Sequence, residues 1–177
     1  MQIISLDSLI QAEGEESEVK EYLSSFLCKK NKDVESFLHD KALENERRAF
    51  TRTSLVIDEE NNNDIVGYFT LMVKYFDFID VSRSTKQRLT NSKQADIFNS
   101  ILIAQLGRSD SYKETVPGDF ILHSALVNCK QIYDLTGLRV VCVEYEDEPK
   151  LHDFYMKNDF KILQTNDSGN ILAYLRF

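Results

Sequence analysis

From residue 97 onward the chain alternates between apolar runs and helical periodicity, and this limits the folds open to it more than any other feature. Residues 97–106 form a near-continuous apolar run, as expected of a central strand buried on both faces. Residues 120–135 repeat their apolar positions with a helical period. Pro117 precedes them, where its missing N–H costs nothing in a first helical turn, and Gly137 follows as a C-terminal stop. Residues 138–145 are a second buried strand. A buried strand, a helix and another buried strand require an α/β fold with a mixed sheet.

The flanking segments extend this pattern. Residues 17–29 place Val19, Tyr22, Leu23, Phe26 and Leu27 on one helical stripe. Residues 33–48 do the same with Val34, Phe37, Leu38 and Leu43, and Asp33 is placed to cap that helix. The period then changes. Residues 53–58 and 65–73 read as the strands of a hairpin around 59–64, a turn rich in residues that tolerate the left-handed region. Residues 76–93, polar and basic after Val81, read as a mostly exposed loop with at most a turn of helix. Residues 149–158 read as a short helix. Residues 160–164 and 170–176 read as strands around the turn at 166–169. The expected order is ααββ, loop, βαβαββ, in a single domain spanning residues 1–177.

Composition excludes several classes. No run approaches the roughly 18 uncharged apolar residues of a membrane span. The N-terminus has neither a basic nor a long apolar region of a signal peptide. Cys28, Cys129 and Cys142 are far apart and odd in number, which argues against a disulfide framework and for a reducing, cytoplasmic setting. His39, His123 and His152 lack ligand spacing, so no metal is expected. The net charge of −8 disfavours nucleic acid in bulk. Two local basic stretches run against it: Arg83, Lys86, Arg88 and Lys93, and Lys29, Lys30 and Lys32.

Several motifs carry a resemblance. Residues 66–71 read Val-Gly-Tyr-Phe-Thr-Leu, residues 102–126 contain a turn feeding a helix, and residues 149–160 end in Phe154-Tyr155 and Phe160. Over residues 26–177 this resembles the GNAT-type N-acetyltransferases. The spacing of Cys28, Leu38 and Ala42 is similar to the subgroup of GNAT toxins from bacterial toxin–antitoxin pairs. The resemblance implies a mostly antiparallel mixed sheet, splayed at the cofactor strand and flanked by helices. It also implies acetyl-CoA as cofactor and transfer of acetyl to a primary amine by direct attack on the thioester.

What the resemblance implies for the site follows residue by residue. Leu106, Gly107 and Arg108 stand where the pantetheine arm pairs with a strand end. Lys113, Glu114, Thr115, Val116, Gly118 and Asp119 stand in the diphosphate loop, where amides at a helix N-terminus meet an anion. Val116 replaces the first glycine of the family pattern, and Pro117 removes one N–H. Tyr155 stands where the family places its general acid. Glu148 stands where Asn is frequent, and Asp159 replaces the glycine before Phe160. Glu144, Asp147 and Glu148 lie near the expected cleft without any one being assigned as base, and each reads as a solvated acid. The implied partners are acetyl-CoA and an amine acceptor, with nucleic acid only as tRNA, and a homodimer is left open. Two alternatives stay open: a GNAT-like binding module without catalysis, or a toxin-type enzyme acting on aminoacyl-tRNA.

Overall fold

The computed structural model describes residues 1–13 and 15–177. Its strands are hydrogen-bonded in the order β1-β2-β3-β4-β5-β7-β6. They are β1 Gln2–Ser5, β2 Arg52–Asp58, β3 Asp64–Asp77, β4 Ile97–Arg108, β5 Val140–Tyr145, β6 Lys161–Thr165 and β7 Ile171–Arg176. The pairs β1–β2, β2–β3, β5–β7 and β6–β7 are antiparallel, and β4–β5 is parallel. This is the mixed, mostly antiparallel α/β arrangement expected from the sequence. Among the described residues, no helix is long and apolar enough to cross a membrane.

The chain divides into two compact units. The first comprises Met1–Met72 and Ala104–Val127. Its opening strand, β1, was not expected from the sequence. Helix α1, Leu6–Glu13, follows it, and Leu6 is wholly buried. Helix α2, Glu16–Ser24, buries Val19 and Leu23; the expected helix to residue 29 ends early, although Phe26 beyond it is still core. The next helix is three pieces in succession: α3 Lys32–Ser36, a π-turn Phe37–Lys41, and α4 Ala42–Arg47. Its cap is Asn31, whose side chain accepts from Val34 N, and not the expected Asp33. Phe26, Leu38, Leu55, Ile65 and Tyr68 are the centre of this unit's core. Tyr68 Oη donates to Val34 O at 2.6 Å, which satisfies its buried hydroxyl. Glu46 is buried but partnered: its carboxylate accepts from Thr53 N and from Arg52. Asn62 and Asn63 in the hairpin turn have φ of 54° and 59°, as a turn of αL-tolerant residues requires.

The second unit comprises Val73–Ile103 and Asn128–Phe177. Residues 76–93 are ordered differently from the expected loop. Strand β3 continues to Asp77, and residues 83–90 are helix α5, Arg83–Thr90. Ser82 caps α5 by accepting from Thr85 N, and Asn91 closes it with φ of 63°. Leu89 is the one apolar residue α5 buries, so no hydrophobic period marked it in the sequence. The ladder of β4 and β5 in this unit pairs Ile101 with Val141 and Leu102 with Cys142. Strand β5 then pairs with β7 along its whole length. Helix α7, Pro149–Lys157, follows β5 and carries Tyr155. Helix α6, Gly118–Thr136, begins in the first unit and ends in the second, and Gly137 stops it with φ of 75°.

Candidate functional site

In the first unit, the end of β4, its connection to α6 and the first residues of α6 contain every residue expected to hold the cofactor. Leu106 is half-buried on β4. Gly107 is buried, and a Cβ there would stand 2.6 Å from Val34 Cγ1 and 3.1 Å from Phe26 and Tyr68. The close approach it permits is therefore that of core side chains. Gly67 has the matching need on β3: its Cβ would meet Gly107 O at 2.6 Å. The chain keeps to β3 beyond the end of β4, where Ser109 N donates to Val66 O at 2.8 Å.

The loop then coils tightly. Residues Asp110–Tyr112 make a short 3-10 turn. Lys113 N donates to Asp110 O, and Thr115 N and Val116 N both donate to Tyr112 O. Val116 is buried and does not take the positive φ that the family's glycine would suggest for its position. Arg108 reaches across the coil and donates to Val116 O at 2.7 Å. Gly118 and Asp119 open α6, whose first amides have no carbonyl one turn back within the helix. Lys113 and Glu114 are exposed on the loop.

Two tethers not anticipated from the sequence fix this loop. Asp110 accepts from Lys29 N at 2.9 Å, and its own N–H donates to Leu27 O. Tyr112 Oη donates to Asp58 Oδ2 at 3.2 Å, at the β2–β3 hairpin, where Asn61 also donates to Asp58. The bonds from Asn61 first, and then Tyr112, hold the Asp58 carboxyl below the usual carboxylate range. Burial, and then Asp58, push the Tyr112 phenol up to about 12. Nothing in the local sequence pairs positions 54 residues apart, so this tether could be found only in the fold.

In the second unit, Tyr155 is 8% exposed and packed among rings. Tyr145, Phe154 and Phe160 lie at centroid distances of 4.8, 5.1 and 5.5 Å. Burial, and next Tyr145, raise its phenol well above the ordinary tyrosine range, so the hydroxyl keeps its proton. Asp159 has φ of 66°, the left-handed turn expected where the family has glycine.

Glu144 departs from its expectation as a solvated acid. Its oxygens accept from Lys74 at 2.8 Å and from Asn166 at 2.6 Å. Gln164 continues the network, donating to Asn166 and to Asp77 O and accepting from Ile79 N. Asp147 and Glu148 are exposed, and Glu148 offers its carbonyl to the first turn of α7. In the basic stretch, Arg88 donates to Tyr174 Oη at 2.6 Å, and Lys86 lies over the Phe78 ring at 5.2 Å. Arg83 and Lys93 are exposed.

No family model matches the chain, and no curated protein matches it closely enough to count as a relative. Solved structures do match. A mutant of KacT is 16% identical, with a TM-score of 0.71 over 98% of this chain and 95% of that one. AtaTR bound with AcCoA is 16% identical, with a TM-score of 0.68 over 97% of this chain and 90% of that one. AtaT complexed with acetyl-methionyl-tRNAfMet is 18% identical, with a TM-score of 0.69 over 85% of both chains. At such identities the likeness is one of fold, and the chain has the fold of these toxins over nearly its whole length.

Proposed function

We propose that this protein is an acetyl-CoA-dependent N-acetyltransferase of the GNAT type, and that its acceptor is the amino group of an aminoacyl-tRNA. The observation that carries the reading is the placement of Tyr155. It lies on the helix after β5, enclosed by rings and holding its proton, within a fold like those of AtaT and KacT. Structures of AtaT are described with acetyl-CoA and with acetyl-methionyl-tRNAfMet, which supports both the donor and the acceptor class.

Acetyl-CoA supplies a thioester whose carbonyl an amine can attack. Tyr155 serves as general acid, keeping a proton for the sulfur that leaves. The diphosphate of coenzyme A needs positive groups. The loop does not offer a continuous run of amides, because those of Lys113, Thr115 and Val116 are turned inward and Pro117 has none. The groups that would hold the anion are Arg108, Lys113 and the first turn of α6 at Gly118 and Asp119. Leu106 and Gly107 lead into this loop. Thr115 and Val116 shape it, and Glu114 limits how much negative charge it accepts. The inward amides also favour a second reading, a GNAT-like binding module that has lost catalysis.

One experiment with two readouts separates them. Acetyl-CoA at about 100 times its dissociation constant should add about 2.7 kcal/mol of stability. Tyr155→Phe, which keeps the ring, should slow acetyl transfer by about 10²–10⁴-fold with acetyl-CoA affinity little changed. Absence of any thermal shift at millimolar acetyl-CoA would favour the binding module. A Tyr155→Phe enzyme as fast as wild type would remove Tyr155 as the acid.

A further inference from the structure

Tyr145 is the last residue of β5 and is 5% exposed. Its Oη is buried and, among the described residues, has no hydrogen-bond partner. A buried hydroxyl without a partner is costly and uncommon. Phenylalanine would fill the same space without that cost, so the hydroxyl needs a reason. The Tyr155 ring lies against the Tyr145 ring, at 4.8 Å between ring centroids and 34° between ring planes. Tyr155's ring neighbours are Tyr145, Phe154 and Phe160, and Tyr145 alone of these carries a hydroxyl.

We infer that Tyr145 is a positioning residue that donates a hydrogen bond to the Tyr155 oxygen when Tyr155 gives up its proton. The inference rests on the reading of Tyr155 as the acid. As the amine nitrogen bonds to the acetyl carbon, the carbon–sulfur bond breaks and its electron pair goes to sulfur. The Tyr155 O–H breaks, the proton passes to sulfur, and a phenolate is left on Tyr155. The proton that the new amide nitrogen sheds to solvent later restores the phenol. The phenolate is the demanding species, since it would form in an apolar box of rings where a charge is poorly solvated. The ring packed against Tyr155 carries a hydroxyl that, among the described residues, has no partner to give up. Burial, and then the charge of Asp147, raise the Tyr145 phenol above its ordinary range, so it remains a donor while Tyr155 ionises.

The test compares wild type, Tyr145→Phe, Tyr155→Phe and the double variant. Thiol release from acetyl-CoA is followed with methionyl-tRNA as the acceptor, and each protein is also melted. Tyr145→Phe should slow release by about 10- to 100-fold, the weight of one hydrogen bond to a charged oxygen. Its melting temperature should stay level or rise, because an unmet buried hydroxyl has gone. The double variant should be no more than about twofold slower than Tyr155→Phe, since Tyr145 acts only through Tyr155. A more stable Tyr145→Phe whose rate is within about threefold of wild type would make the hydroxyl idle and overturn the inference. So would a less stable one, which would mean that the hydroxyl serves the fold, or a double variant slowed by both factors multiplied. A full-speed Tyr155→Phe would instead remove the acid itself, and the role of Tyr145 with it.

Discussion

At Gly107 the absence of a side chain decides local packing. Its φ is not in the left-handed region, so glycine is not there for backbone freedom. The space a Cβ would need is taken by Val34, Phe26 and Tyr68. Gly107→Ala would gain about 0.4–1 kcal/mol from a less flexible unfolded chain, but overpacking a filled core costs about 1–3 kcal/mol. The second effect should prevail, because the nearest atom belongs to a stiff β-branched side chain. We expect a lower denaturation midpoint in urea, partly restored by Val34→Ala; an alanine variant as stable as wild type would contradict this. The sequence marked Gly107 as special and Tyr155 as a candidate acid, because each occupies a definite place in a motif. It could not show what fills the space beside Gly107, nor that Tyr145 Oη lacks a partner among the described residues. Those facts belong to residues brought together from different elements.

Strands and helices with a strong apolar period were legible from the sequence: β4, β5, α6 and α7 were anticipated closely. The misses have physical causes. Helix α5 buries little beyond Leu89 and is defined by its Ser82 cap instead of by an apolar stripe. The π-turn at Phe37–Lys41 shifts the phase of a helix whose residues otherwise suggest an unbroken period. The loop from β4 to α6 was recognised by its neighbours, while its tether to the hairpin was invisible. That tether has a pH signature. Asp58 is held below its unfolded pKa of about 3.9, so the stability it contributes is present above that value and is lost as pH falls through the folded pKa. Asp58→Asn should therefore destabilise the protein at neutral pH and less near pH 3. Denaturant titrations at both pH values would check this, and an equal loss at the two would mean that Asn61 and Tyr112 do not hold Asp58 as a carboxylate.

Over the whole molecule, the net charge of −8 opposes a tRNA partner, so any such partner needs a local positive surface. Part of the basic stretch serves the fold, with Arg88 on Tyr174 and Lys86 over Phe78. Arg83 and Lys93, at the start of α5 and on its C-terminal flank, are exposed and, among the described residues, make no such contact with a ring, and a phosphate backbone would need cations of this kind. The α/β fold was legible because a buried strand–helix–strand order permits few alternatives, and the likeness to toxin structures extends along nearly the whole chain. The acceptor was not legible, since no residue pattern in the sequence encodes it. The most direct test is to incubate the protein with acetyl-CoA and methionyl-tRNA, alongside lysine-containing peptides and polyamines, and to locate the acetyl group by mass spectrometry. Acetylation of the aminoacyl amino group is expected, dependent on acetyl-CoA and greatly slowed by Tyr155→Phe. Intact acetyl-CoA with no acetylated amine from any acceptor, or acetyl found only on a peptide or polyamine, would contradict this.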